Sequence, residues 1–94
     1  MALIRALSGS GGGGTPTITS VSAYNNPLNI TTDNALYICG SADGNQMVSW
    51  GYVENGTWHN IKPNATYSTI SYTSGTLSIT QKNSGYPQVT VMYV

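Results

Sequence analysis

Short runs of alternating apolar and polar residues, separated by turn residues about every ten positions, dominate the chain after Pro16. Alternation with a period of two is the pattern of a half-buried β-strand. The segment Ala35–Cys39 (Ala-Leu-Tyr-Ile-Cys) is instead continuously apolar, which is typical of a buried strand. The pattern predicts an all-β fold, a small antiparallel β-sandwich or barrel of six to eight strands.

The dipeptide Asn55-Gly56, which stands between two apolar runs, predicts a two-residue β-hairpin. Both central residues of such a turn need positive φ, and Asn and Gly tolerate it best. The expected cross-strand pairs are Glu54 with Thr57, Val53 with Trp58, Tyr52 with His59, and Trp50 with Ile61.

Two further turn signals, Ser74-Gly75 and Asn83-Ser84-Gly85, predict a three-stranded meander at the C-terminal end of the sequence. A meander of this kind buries one face and leaves the other in water. The expected pairs on its buried face are Tyr72 with Leu77, Ile70 with Ile79, Ile79 with Val89, and Leu77 with Val91.

The first sixteen residues differ from the rest of the chain. Met1–Leu7 is a short apolar peptide, and Ser8–Pro16 is rich in Gly and Ser. A flexible Gly/Ser segment of this length averages about 15–18 Å from end to end and stretches to roughly 30 Å. We predict that residues 1–16 form an anchor peptide with a tether and that residues 17–94 form a single β domain; an artificial linker is the alternative for the Gly-rich run. The predicted anchor residues are Met1, Leu3, Ile4 and Leu7.

The composition favours assembly. Only 6% of the residues are charged and the net charge is zero, whereas about 25% charged residues are usual in a soluble domain. A body of 78 residues buries only about 60% of its unfolded surface and is marginal alone. A single cysteine excludes an internal disulfide, so we expect oligomerisation to supply the missing stability.

The same counts bear on partners. Three cations and zero net charge argue against nucleic acid, which requires a basic stripe. No apolar run approaches the 18 residues of a transmembrane helix, so we expect no membrane partner. A lone thiol fits assembly in a reducing cytosol.

Candidate catalytic groups are few. The carboxylates Asp33, Asp43 and Glu54 all fall in predicted turns, whereas a glycosidase needs two that face each other. Cys39 lacks the sequence context of a nucleophile, and one Cys with one His (His59) cannot supply four zinc ligands. We therefore predict no enzymatic activity, no cofactor and no metal, with Cys39 buried and His59 at the surface or an interface.

Aromatic residues cluster around the Asn55-Gly56 hairpin. One interpretation is a sugar-stacking platform, and the favoured one is an aromatic core with an interface patch. The residues of this candidate ligand or interface patch are Trp50, Tyr52, Trp58, His59 and Asn60.

The opening Met-Ala-Leu-Ile-Arg, the Gly/Ser run and the small Ser/Thr/Asn/Tyr-rich β region together resemble small virion proteins of tailed bacteriophages. The resemblance implies a β-sandwich subunit of a capsid or tail. It predicts a non-enzymatic virion component, assembled in the host cytoplasm, that oligomerises through its β body and anchors to neighbours through its N-terminal arm. The expected partners are copies of itself and other virion proteins. The alternative is a carbohydrate- or receptor-binding β module of a phage fibre or surface protein, with a host surface glycan as its partner.

Overall fold

The computed structural model describes residues 15–40 and 46–94, which form eight β-strands in two antiparallel sheets packed as a sandwich. None of these described residues is helical. This confirms the predicted all-β fold and strand number. The strands are β1 (Thr17–Ser22), β2 (Leu28–Thr31), β3 (Ala35–Gly40), β4 (Met47–Glu54), β5 (Thr57–Lys62), β6 (Ser68–Thr73), β7 (Thr76–Gln81) and β8 (Gln88–Tyr93). The predicted anchor residues Met1, Leu3, Ile4 and Leu7 and most of the tether lie outside the described residues, as does Asp43.

The larger sheet has the strand order β1-β8-β3-β4-β5, and the smaller sheet has the order β2-β7-β6. The apolar strand β3 lies at the centre of the larger sheet, between β8 and β4. Its alternate residues Ala35, Tyr37 and Cys39 are fully buried. They join a single apolar core between the sheets, whose members are Ala23, Ile30, Ala35, Tyr37, Cys39, Val48, Val53, Leu77, Ile79, Val89 and Val91.

The Asn55-Gly56 hairpin has the predicted conformation, with φ of 50° and 76° at its two turn residues. The predicted cross-strand partners of Glu54, Val53 and Tyr52 are confirmed as Thr57, Trp58 and His59. The expected pair of Trp50 with Ile61 is wrong, because the register shifts after Trp50, which lies opposite Lys62.

Gly51 lies at that shift, paired with Asn60. A side chain on Gly51 would meet the His59 carbonyl oxygen and the Tyr37 hydroxyl. Only glycine therefore allows this close approach, and the irregular register accompanies it.

The second predicted hairpin is also confirmed, with positive φ at Ser74 and Gly75 and the expected pairs between β6 and β7. The third is wrong. Strand β8 pairs with β1 and β3 in the larger sheet, and β2 takes the place beside β7 that the meander assigned to β8. Pro87 precedes β8 and has no N–H to continue a ladder beside Gln81. The apolar residues of β7 and β8 still enter one core, but from opposite sheets.

Candidate binding surface

The larger sheet turns a second apolar face away from the sandwich. Successive residues of a strand point to opposite faces, so the observed registers place two rows of side chains across this sheet. One row runs through Ile18, Met92, Leu36, Tyr52 and His59, and the next through Ser20, Thr90, Ile38 and Trp50. We call this surface the outer face and define it by Ile18, Leu36, Ile38, Trp50, Tyr52 and Met92.

The outer face is exposed and almost uncharged. The side chain of Ile18 is 67% exposed and that of Ile38 is 37% exposed, while Leu36, Trp50, Tyr52 and Met92 are half-buried. The five strands carry only two charged residues, Glu54 and Lys62, each at the last position of its strand. The Lys62 ammonium donates a hydrogen bond to the Met47 carbonyl oxygen (3.0 Å). A contiguous apolar surface of this kind commonly marks an interaction site.

Tyr52 and His59 lie side by side on the outer face, as their predicted pairing requires. Their rings are stacked, with centroids 4.5 Å apart and an angle of 16° between the planes. Each ring therefore covers one face of the other, and the pair lies on the same side of the sheet as Trp50.

Trp58 and Asn60 belong to the opposite side of the same sheet. The Trp58 indole N–H donates to the Tyr37 hydroxyl (3.3 Å), which donates in turn to Asn60 Oδ1 (2.6 Å). Burial raises the pKa of Tyr37 to about 12, so this hydroxyl stays protonated at neutral pH. Trp58 packs against the core rather than standing on the surface.

The five residues of the predicted patch therefore do not share one surface. The structure brings together Trp50, Tyr52 and His59 and separates them from Trp58 and Asn60. The predicted hairpin register indicates this separation, because it pairs Trp58 with Val53, which is buried, and so places Trp58 on the other side of the sheet from Tyr52 and His59. The sequence reasoning also missed four members of the outer face, which are Ile18, Leu36, Ile38 and Met92.

Cys39 is fully buried in the inner layer of β3, as predicted. Burial raises the pKa of its thiol to about 12. The thiol is therefore protonated at neutral pH and shielded from solvent, which is the opposite of what a nucleophilic cysteine requires. Among the described residues, no three His, Cys, Asp or Glu side chains lie close enough together to hold a metal ion.

A buried polar network connects the two sheets, and no pattern in the sequence predicts it. Ser49 of β4 donates to the Ser68 hydroxyl (3.2 Å), and Ser68 donates to Gln81 Oε1 (2.6 Å). The Gln81 amide nitrogen then donates to the Tyr86 carbonyl oxygen (2.6 Å). All buried side-chain polar atoms in the described ranges have a hydrogen-bond partner, so this network is fully satisfied.

A polar cleft of about 250 Å³ lies between the end of β5 and β6. Its one cation, Lys82, already donates to the Ala65 carbonyl oxygen (2.6 Å). The cleft is lined by Asn60, Pro63, Asn64, Ala65, Ser68, Thr69, Ile70 and Lys82.

The fold and the outer face together define the described part of the chain as an eight-stranded antiparallel β-sandwich with an exposed apolar sheet face. Comparisons with protein-family models, curated protein sequences and solved structures give no match. Among the described residues there is no helix of the length and hydropathy needed to cross a membrane.

Proposed function

We propose that this protein is a non-enzymatic structural subunit that assembles with copies of itself through the outer face. The observation that carries the proposal is the outer face, whose apolar residues lie on four of the five strands of the larger sheet and whose charged residues lie only at strand ends. Water contact with this surface is unfavourable, and a second outer face would remove it.

The size of the outer face suits a concentration-dependent contact. Five strands spaced about 4.8 Å apart and about 20 Å long present roughly 480 Å². Two copies in contact would bury roughly 1,000 Å², which is close to the lower limit of specific protein interfaces. The zero net charge of the chain imposes no long-range repulsion between copies.

The non-enzymatic part of the proposal is supported by the positions of the cysteine and the histidine, a common pair of nucleophile and base. Cys39 is buried with a raised thiol pKa. His59 is stacked on Tyr52 on the outer face. Cys39 occupies an inward-facing position of β3, so its thiol lies in the core. The two side chains therefore face opposite sides of the larger sheet and do not form a catalytic pair.

The context we propose for this assembly is a virion, as a capsid or tail component assembled in the host cytoplasm. This part rests on the resemblance of the leader and of the composition to small tailed-phage virion proteins. Other virion proteins would then be its partners together with its own copies.

Sedimentation velocity over a range of protein concentrations tests the assembly. We expect the wild-type protein to form oligomers and Ile38→Lys to weaken them at least tenfold, because the lysine would place an ammonium group in the middle of the contact. The matched control is Ser71→Lys on the exposed side of β6, in the other sheet, which should leave assembly unchanged. A wild-type protein that stays monomeric at every concentration would refute the proposal.

A second candidate function is glycan or receptor binding. It is favoured by the aromatic side chains of Trp50, Tyr52 and His59 on one side of the sheet, because an exposed aromatic ring can stack against a sugar ring. Binding to a glycan array should then be lost in Trp50→Ala and kept in Ser71→Ala. Binding that survives Trp50→Ala, or its absence from the wild-type protein, would exclude this site.

A further inference from the structure

We propose that the free edge of β1, meaning the edge that no other described strand covers, pairs antiparallel with β1 of a second copy, which joins two five-stranded sheets into one continuous ten-stranded sheet. This inference rests on the proposed self-assembly and names a second contact surface for it. The occupant of the edge is therefore another copy of this chain.

The backbone groups that point to the free edge follow from one hydrogen bond. The Ala23 N–H donates to the Pro87 carbonyl oxygen (2.9 Å), which extends the β1–β8 register by one pair beyond Ser22 and Gln88. Alternate residues of an antiparallel strand bond to the same neighbour. Val21, Thr19 and Thr17 therefore bond to β8. The residues whose N–H and C=O groups face the free edge are Ile18, Ser20 and Ser22.

The side chains of β1 offer no protection against strand addition. The strand has six residues, no charge and no internal proline. Ile18 on the outer face is 67% exposed, and Val21 on the other face is 38% exposed. Natural monomers avoid long, uncharged edges with exposed apolar residues, because such edges recruit further strands.

The edges at β5 and β2 are better protected. Strand β5 carries Lys62 and His59, has an irregular register and is followed by Pro63. Strand β2 has only four residues, whereas β1 has six; a proline precedes both strands and does not distinguish them. Charge, irregularity, proline and short length are the usual means of blocking an edge.

The edge of β6 also lacks charge but offers a partner little apolar surface. Ile70 and Tyr72 pack against the core, and the exposed residues of this strand are Thr69, Ser71 and Thr73. Of the four edge strands in the described structure, β1 is therefore the one that has no charged residue and also exposes apolar side chains.

The geometry selects one register. Pairing Ser20 with Ser20 of the second copy places Ile18 opposite Ser22, so all three outward residues of each copy are hydrogen-bonded. A register centred on Thr19 would place Pro16 opposite Ser22, and proline has no N–H to donate. The favoured contact is thus a two-fold pair centred on Ser20, in which each copy presents the same strand.

This pairing strengthens the proposed use of the outer face. Residues directly opposite each other in an antiparallel pair lie on the same side of the sheet, so the outer faces of both copies become continuous. The dimer would present roughly 960 Å², and contact between two dimers would bury about 1,900 Å². That area lies within the range of stable interfaces, whereas a single outer face is near its lower limit.

A cysteine at the proposed two-fold axis tests the pairing. Cα atoms of a hydrogen-bonded antiparallel pair lie about 5.5 Å apart, but their Cβ atoms are farther apart than in most disulfides, so a short bifunctional thiosulfonate reagent is used to bridge the two thiols. With this reagent the full-length Ser20→Cys protein should form a covalent dimer that reductant reverses. Ser71→Cys, on the edge strand of the smaller sheet, and the wild-type protein, whose Cys39 is buried, should not.

Amide exchange by NMR tests the same edge without a mutation at it. In the Ile38→Lys background, which weakens contact through the outer face, the amides of Ile18, Ser20 and Ser22 should exchange at least tenfold more slowly at high protein concentration. The amides of Thr19 and Val21 should be protected at every concentration by their bonds to β8. This alternation within one strand would support the proposal.

The outcomes separate this inference from the proposed function. If Ile38→Lys disrupts wild-type oligomers but Ser20→Cys gives no more dimer than Ser71→Cys, the edge pairing is overturned and assembly through the outer face stands. Protected edge amides without a Ser20 cross-link would mean that a different segment occupies the edge, which also overturns the pairing. A chain that is monomeric throughout overturns both.

Discussion

Replacing Gln81 with leucine removes the side chain that connects Ser68 to the turn before β8 in the buried polar network. Gln81 is fully buried. Its amide accepts a hydrogen bond from Ser68 and donates one to the Tyr86 carbonyl oxygen, each at 2.6 Å. Leucine has a similar volume, so the substitution tests the hydrogen bonds rather than the packing.

The expected cost follows from the two groups that each lose one hydrogen bond, although Ser68 keeps the bond that it accepts from Ser49. A buried donor or acceptor that loses its partner costs about 1–3 kcal/mol, and both the Ser68 hydroxyl and the Tyr86 carbonyl oxygen would lose one. Burial of the leucine side chain offsets part of this loss. We therefore expect the free energy of unfolding to fall by about 2–4 kcal/mol, which corresponds to a decrease in Tm of roughly 10–25 °C for a domain of this size.

Urea unfolding monitored by tryptophan fluorescence and by circular dichroism measures this change. Gln88→Leu is the matched control, because it makes the same replacement at a half-buried position of β8 and should change the free energy by less than about 1 kcal/mol. A Gln81→Leu protein as stable as the wild type would show that the network contributes no net stability, and the reasoning would be refuted.

Two further predictions concern the inner layer of the larger sheet. Gly51→Ala should lower the free energy of unfolding by about 1–3 kcal/mol, measured by urea unfolding, because its methyl group would meet Tyr37 and the His59 carbonyl oxygen; Gly85→Ala, at an exposed turn, is the control, and equal stabilities would contradict the close approach. Stability should also fall with rising pH between about 9 and 12, because Cys39 and Tyr37 have ordinary pKa values of 9.0 and 10.0 and folded values of about 12. Both groups are neutral in either state below pH 9, so their contribution is fully present there; above it the unfolded chain loses protons first, at about 1.4 kcal/mol per pH unit for each group. Tyr37→Phe should reduce this dependence in alkaline unfolding curves, and an unchanged slope would contradict the assignment.

Local turn chemistry explains which parts of the fold could be predicted. Asn55-Gly56 and Ser74-Gly75 determine both hairpins and their registers, because positive φ at these positions restricts the chain to one kind of turn. Asn83-Ser84-Gly85 also marks a turn, but a turn signal does not say which sheet receives the next strand. The competition of β2 for the edge of β7 is a long-range effect that a local pattern does not contain.

The outer face was missed for a related reason. The continuous run Ala35–Cys39 was interpreted as one buried strand, whereas its alternate residues face two environments and Ile38 is partly exposed. Gln81 was missed because a polar residue in an alternating strand is normally assigned to the solvent side. Its burial depends on partners from β6 and from the turn before β8, which only the folded chain brings together.

The position of β8 between β1 and β3 has a consequence for biosynthesis. Strand β8 follows the other seven described strands in chain order, yet it supplies one of the two neighbours of the central strand β3. Until the ribosome has released β8, the apolar β3 has one unpaired edge, and β1 has no strand to bond in the larger sheet. Folding of the larger sheet must therefore wait for translation to finish β8, and during that interval the partly synthesised chain exposes an unpaired edge of an apolar strand.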